Sequence, residues 1–387
     1  MTAVVETARQ LVPGFAERAA DHDASGCFPE DDFAALREAG LLGLMVPERL
    51  GGLGASFTDY TDVALELARG SGATALVYNM HASVTGALAQ TPDELARALG
   101  APESFFAARD RILTAAAGGA LYAVAMSERG AGSRLSELAT SYAPEGDGYR
   151  IKGRKTFVSG AGHASGYLVA ARATDDQGKV SQFLLPAGEG LTVEETWDSL
   201  GMRATASHDL HLDVVAPPET LLGGLEGLAL LVAQVMPQWL VASYAAVYVG
   251  VSQAAVDAAV AHVQGRGLAH LPSVRARIGR ADAAVAAARL AVREAARRVD
   301  ESPGDPETNR WVWRAKLLAG QTAMDVAASM LEAAGTSATR RGHPLERLFR
   351  DARCGALQPA TSDVCADWLG VAALGGDPYA DAAAPRW

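Results

Sequence analysis

The sequence predicts a mainly α-helical protein with a β domain in its middle. Three observations lead there. Residues 1–118 are rich in Ala and Leu, recur at helical spacing and contain few β-branched runs. Residues 119–225 change texture: apolar and polar residues alternate, and turns such as Glu145-Gly146-Asp147-Gly148 and Asp175-Asp176-Gln177-Gly178 separate the runs. Residues 226–387 return to long Ala-rich segments, whose small side chains suit close antiparallel packing. The expected domains are therefore an N-terminal all-α domain over 1–118, a middle β domain over 119–225 and a C-terminal helix bundle over 226–387.

In the first domain, Val4 to Ala20 has helical periodicity. Pro29-Glu30-Asp31-Asp32-Phe33 opens a second helix with acids in its first turn, where they favour the helix dipole. Leu50-Gly51-Gly52-Leu53-Gly54 is a flexible connection, and Tyr60 to Gly70 and Ser71 to Leu88 are a third and fourth helix. In the middle domain, Tyr122 to Met126, Tyr149 to Gly153, Lys155 to Gly160, Gly166 to Ala171 and Gln182 to Pro186 read as strands. Beyond it, Gln238 to Gln264 reads as one long helix with Gly250 as a small packing residue. Pro272 to Val299 and Asn309 to Ala334 follow as two more, their apolar residues recurring at three and four.

With 387 residues the chain can bury a large core in two or three domains. Lys and Arg total 34 against 45 Asp and Glu, a net charge of −11, which argues against nucleic acid as the main partner. The N-terminus lacks the basic start and long apolar core of a signal peptide. No apolar run reaches about 18 residues without Gly, Pro or polar interruption, so no membrane-spanning helix is expected. Cys27, Cys354 and Cys365 are odd in number, lack C-x-x-C spacing and read as reduced thiols of a cytoplasmic protein.

Residues 122–160 carry the strongest chemical pattern. Gly130 and Gly132 let the backbone approach a bulky ligand, Ser127, Ser133 and Ser159 add hydroxyl donors, and Phe157 offers a flat apolar face. A glycine-serine turn alone is usually just a turn. Two strands of matching chemistry about 25 residues apart, inside a mostly helical chain, make a seat for a dinucleotide-like ligand. His81, in Tyr78-Asn79-Met80-His81-Ala82-Ser83, has two readings: a histidine hydrogen-bonded at a domain interface, or a proton-transfer group over the cofactor.

The run Ser127-Glu128-Arg129-Gly130-Ala131-Gly132-Ser133-Arg134 resembles the (S/T)-E-x-G-A-G-S-D signature of the acyl-CoA dehydrogenase family, and Lys155 to Ser159 resembles its K-x-W-(I/V)-(S/T) strand. Leu200-Gly201-Met202-Arg203 resembles its L-G-x-R loop, and Gly342 to Arg353 its Y-P-x-E-R-x-x-R-D-A-K segment. In this chain, Arg203 either holds a phosphate or fixes its loop, and Glu346, Arg347, Arg350 and Asp351 also suit ion pairs that orient the final helix. The resemblance implies a helical domain, a middle β-barrel and a four-helix bundle, with FAD as cofactor. It also implies an acyl thioester substrate, an electron acceptor as partner and a homo-oligomer, dimer or tetramer. Carried over by position, it implies that Met126, Ser127, Gly132, Ser133, Phe157 and Ser159 hold FAD, with Arg266 reaching the FAD of a neighbouring subunit. In flavin monooxygenases of the same fold a histidine in a helix like that of His81 is implicated in catalysis.

The resemblance breaks at the residue that defines the family's reaction. Its usual catalytic glutamate falls on Pro359, which cannot take a proton, and the position used by other members falls on Leu240. Asp363 lies one helical turn beyond Pro359. The S-D of the signature is Ser133-Arg134, and the R-x-x-F-G segment is reduced to Gln264-Gly265-Arg266-Gly267. Three functions follow. The first, favoured by resemblance along the whole chain, is an FAD-dependent acyl-thioester oxidoreductase with a displaced base. The second is a monooxygenase using reduced flavin from a partner reductase, needing a dry pocket and a proton donor such as His81. The third is a flavin-binding subunit that has lost its base and pairs with an active homologue. For the seat, replacing Gly132 with a bulky residue is expected to abolish flavin binding while the circular dichroism spectrum stays that of the folded protein.

Overall fold

A computed structural model describes residues 2–239 and 241–380. Six helices come first: α1 (Ala3–Ser25), α2 (Glu30–Glu38), α3 (Phe57–Gly70), α4 (Gly72–Gln90), α5 (Asp93–Ala98) and α6 (Glu103–Ala117). Seven strands follow: β1 (Tyr122–Ala125), β2 (Ser141–Glu145), β3 (Gly148–Val158), β4 (Gly166–Ala173), β5 (Val180–Pro186), β6 (Leu191–Glu194) and β7 (His208–Ala216). The remainder is helical: α7 (Leu228–Val235), α8 (Ala242–Gly265), α9 (Pro272–Glu301), α10 (Pro306–Ala334), α11 (Pro344–Arg353) and α12 (Ser362–Ala373).

Local chemistry starts these helices where it does. Ser56 and Asp59 form a reciprocal capping box on α3, and Asp300 of α9 accepts the backbone N–H groups of Phe57 and Thr58. Asp305 caps α10 by accepting from Glu307 and Thr308. Helix α4 is buried around almost its whole circumference, which is the mark of a central helix rather than a surface one. The bundle packs closely because its contact positions are small. A Cβ on Gly250 would sit 2.3 Å from the Leu65 carbonyl oxygen, so α8 lies directly on the backbone of α3. The stretch Pro237–Gly265 is long and apolar enough to cross a membrane, yet 88% of its most apolar window is buried inside the protein.

Two expectations need correction. The long helix expected over Gln238 to Gln264 starts later, at Ala242, and runs unbroken to Gly265. α7 ends at Val235, Pro237–Trp239 is a single 3₁₀ turn, and α8 begins at Ala242. Pro237 ends α7, because it lacks an N–H and disfavours helical backbone at Met236 (φ −125°), and the non-helical Val241 (φ −127°) sets the start of α8. Leu240 lies outside the described residues. Second, the runs at 149–153 and 155–160 are one strand, β3, whose pairing with β7 shifts at a bulge between Lys155 and Val158.

The sheet curls, in the order β1-β4-β2-β3-β7-β6, with β5 added to β4. Its pleat separates two cores. Val169, Phe183 and Leu185 face the inside of the curl with Tyr142 and Ile151. Leu168, Ala170, Val180 and Leu184 face the helices and join the main core.

The three parts are fastened at one buried joint. Arg350 of α11 donates to both oxygens of Asp23 in α1, to the Leu200 carbonyl of the β domain at 2.9 Å, and to Glu346 of its own helix. Next to it, the Asp351 carboxylate accepts the Met202 N–H at 2.6 Å. Arg203 donates to the Asp23 carbonyl and to Ser199, so it fixes its loop against α1. Arg350→Leu would leave Asp23 and Glu346 without their common cation in a buried setting. We expect a loss of about 3–5 kcal/mol in urea unfolding and a transition split into more than one step.

Candidate functional site

The seat is assembled from the end of β1, the turn after it and the bulge of β3. Glu128 and Gly132 exchange two backbone hydrogen bonds of 2.9 Å, closing the turn, and Gly132 takes φ +62°, a conformation that a side chain would strain. A Cβ there would meet nothing within 4 Å, so the constraint on Gly132 is conformational rather than steric. Thr156 N–H donates to the Ser127 carbonyl at 2.9 Å, which ties the turn to β3. Arg134, where the family pattern has an acid, pairs with Glu137 and donates to the Gly130 carbonyl.

Beneath the turn is a buried ion pair that the sequence reading passed over. Lys155 is wholly buried, and its ammonium lies 2.7 Å from Glu128. Glu128 also accepts from the backbone of Ala139 and Thr140. Burial works against the Glu128 carboxylate, but the Lys155 charge and these N–H groups outweigh it and hold its pKa below the usual range. Burial pushes Lys155 down to about 8 despite Glu128. The signal was present as the acid of the glycine signature and the lysine of the K-x-W-type strand.

The seat residues differ in what they present. Ser127 and Ser133 are partly exposed, whereas Met126 is buried. Ser159 is buried too, and its hydroxyl joins a chain through Ser207 (2.8 Å) to Thr205 (2.7 Å). Phe157 is 62% exposed at the bulge, with φ +57°, its ring edge-on to Trp197 at 6.0 Å. A large aromatic side chain held out from a strained backbone position is costly unless something planar covers it. The residues therefore fit the tricyclic ring of a flavin. Arg266 is not part of this group: it caps the end of α8, exposed and without an ion pair among the described residues.

His81 is 1% exposed, and both ring nitrogens are engaged. Nε2 donates to the Leu42 carbonyl at 2.7 Å, while Nδ1 accepts from Tyr122 N–H at 3.1 Å. The ring also lies parallel to Tyr122. It therefore joins α4 to the turn at Leu41–Gly43 and to β1. Burial pushes its pKa down to about 4.

Beside the seat is a cavity of about 330 Å³. Helix α4 lines it with Ser83, Val84 and Leu88, β1 with Val124 and the residue after it, Met126, the sheet with Leu168 and Gln182, and the α7 region with Leu228, Val232 and Trp239. Met126 thus belongs to both seat and cavity. No charged side chain and no histidine lines the cavity among the described residues. Pro359 lies elsewhere, in the segment after α11. That segment is held by Lys316, which is wholly buried and donates to the carbonyls of Gly355, Gln358 and Ala360 at 2.9–3.1 Å. Tyr248 donates to the Gln358 side chain. Asp363, in the first turn of α12, is exposed.

Three family models match in order: acyl-CoA dehydrogenase N-terminal domain at residues 2–98, middle domain at 123–215 and C-terminal domain at 242–362. The chain belongs to the acyl-CoA dehydrogenase family. Within it, the chain is 33% identical over 400 residues to L-evernosamine nitrososynthase of a Micromonospora strain, covering 97% of this chain and 90% of that protein. It is 30% identical over 374 residues to 3-sulfinopropanoyl-CoA desulfinase of Variovorax paradoxus, covering 90% and 88%. Among solved structures, FMN-bound TdsC from Paenibacillus sp. A11-2 superposes with a TM-score of 0.85 at 25% identity, covering 97% of this chain and 98% of that one. TdsC is a dibenzothiophene monooxygenase.

The buried joint at His81 has a pH signature. Its folded pKa of about 4 lies below the ordinary 6.5, so the unfolded chain takes up a proton first on acidification. The stability it contributes is whole above pH 6.5 and is lost as pH falls toward 4, on the order of 3 kcal/mol in all. In urea unfolding at several pH values, His81→Asn should be less stable at pH 7 and show a shallower decline between pH 6.5 and 4.5.

Proposed function

We propose that this member of the acyl-CoA dehydrogenase family is a flavin-dependent monooxygenase acting on a neutral, apolar small molecule, with reduced flavin delivered by a partner reductase. The observation that carries the reading is the cavity, in which no titratable side chain lines the walls among the described residues. Dehydrogenation of an acyl thioester needs a group that removes the proton α to the carbonyl, and the family's position for it is Pro359. Oxygenation needs no such base. It needs an oriented substrate, a site from which water is kept out and a proton donor, a part that His81, with both ring nitrogens engaged, does not play.

When bound, the reduced flavin supplies the activation of molecular oxygen. Overall, substrate, oxygen and reduced flavin give oxygenated substrate, water and oxidised flavin. The chain holds the flavin ring with Phe157 and the turn of Ser127, Gly132 and Ser133, a turn that Lys155 and Glu128 keep rigid. The apolar walls bind the substrate by burial and exclude water. His81 acts by fixing α4 against β1, the two elements that, with the residue after β1, supply Ser83, Val84, Val124 and Met126 to the cavity. The likeness to the nitrososynthase and to TdsC supports this reading. The full seat favours FAD by resemblance; the shortened Gln264–Gly267 segment, and FMN in TdsC, favour FMN.

The likeness to a desulfinase that acts on an acyl-CoA favours a second reading, a thioester oxidoreductase with a displaced base. The two separate in one pair of experiments. Purified protein loaded with oxidised FAD or FMN is mixed with a series of acyl-CoAs without oxygen, and its visible absorbance is followed. The monooxygenase reading expects no bleaching. With a flavin reductase, NADH and oxygen, apolar aromatic and aliphatic compounds should gain one oxygen atom by mass spectrometry. Bleaching by an acyl-CoA and no oxygenation would overturn it, and the flavin retained on gel filtration distinguishes FAD from FMN.

A further inference from the structure

The cavity wall contains two polar side-chain groups that the protein itself leaves unused among the described residues, the Trp239 indole N–H and the Gln182 carboxamide, and of these only the carboxamide can both donate and accept. Of its polar side chains, Ser83 lies 2.8 Å from the carbonyls of Asn79 and Trp239, and Thr91 donates to the Ala87 carbonyl at 2.7 Å. The Gln182 carboxamide makes no hydrogen bond among the described residues, although it lies in the middle of β5 and lines the cavity.

Its position is set by the pleat. Along β5, Ser181 and Phe183 face the inside of the curled sheet, where Ser181 bonds Tyr142. Val180 and Leu184 face the helices, and Gln182 lies between them on that same face. Directly opposite on β4 is Ala170, flanked by Leu168 opposite Leu184. The small alanine leaves the long carboxamide the space above it. Gln182 is only partly buried, so its carboxamide, with no protein partner, keeps both its donor and its acceptor free for a ligand in the cavity.

The opening of the cavity is apolar as well. Leu95 on α5, Leu99 just after it, and Leu231 and Val235 on α7 all line it and are all exposed, from 43% to 49%. A charged or nucleotide-bearing molecule gains nothing from such a mouth.

We propose that Gln182 is the residue that orients the substrate: its carboxamide hydrogen-bonds the single polar group of a neutral, otherwise apolar molecule in the cavity, and so fixes which part of that molecule faces the seat at Met126. This rests on the proposed function only in taking the cavity as the substrate site. A carboxamide both donates and accepts, so hydroxyl, carbonyl and amine N–H groups are all matched. A site built to complete such a bond discriminates against the isostere that lacks the group.

The test measures binding rather than turnover. Equilibrium dialysis of the full chain with 2-naphthol and with 2-methylnaphthalene compares a hydroxyl with a methyl group on one frame. Gln182→Leu and Gln182→Met should each weaken 2-naphthol about tenfold, the equivalent of one neutral hydrogen bond, and leave 2-methylnaphthalene unchanged or tighter. Flavin retention and circular dichroism should match the unsubstituted protein. An equal shift for both ligands, an unchanged affinity for 2-naphthol, or no binding of either to the unsubstituted protein would overturn the assignment. If the selective loss is found and no substrate is oxygenated, the orienting role stands and the monooxygenase reading falls.

Discussion

The arrangement depends on the joint around Arg350. One guanidinium reaches α1 through Asp23 and the β domain through the Leu200 carbonyl, while the neighbouring Asp351 holds the Met202 N–H. Arg350 and Asp351 are buried and Asp23 is partly so, so the charges would be costly alone, and they are tolerated because they complete one another. Seat and cavity both lie where the domains meet. The seat is on the β domain, but the cavity beside it takes walls from α4 and α7 as well. By holding the loop at 200–203 against α1, α11 reinforces the placement of those walls, which His81 sets directly by joining α4 to Tyr122 of β1.

A second constraint acts more locally. The turn that presents Ser127, Gly132 and Ser133 has few contacts of its own, and Gly132 has open space around it. Its shape is imposed from below by Glu128, which receives Lys155 and two backbone N–H groups. The same strand that brings Lys155 inward turns Phe157 outward through the bulge. One irregular strand therefore both supports the seat and displays its aromatic face. The cavity wall follows a similar logic, because the pleat of β5 sends Phe183 inward and Gln182 toward the helices.

Much of this was legible in the sequence. The helix–sheet–helix order follows from a change of period, and periodicity is a local property that burial enforces. The signature turn and the Lys155–Ser159 strand mark the proposed seat, because the left-handed backbone at Gly130 and Gly132 favours glycine at fixed spacing. The ion-pair reading of Arg350 and Asp351 was also available, since acids and arginines one turn apart on a helix are neighbours. Other features were not. Periodicity cannot reveal that Tyr149 and Phe157 share one strand, because a bulge breaks the alternation that defines a strand. Nor does spacing tell whether a histidine on a central helix faces a cavity or a backbone carbonyl.

The sequence by itself determined the family, the fold and the absence of a carboxylate at position 359, because each is fixed by residue identity at a motif position. The tertiary structure decided how the remaining polar residues are used. His81 is consumed by Leu42 and Tyr122, residues 39 and 41 positions away, and Lys316 by carbonyls as many as 44 positions away. Gln182 is left over: its carboxamide makes no hydrogen bond among the described residues. Hydrogen-bond partners are chosen by packing across the whole chain, so only the folded molecule distinguishes a polar group already satisfied from one that awaits a ligand.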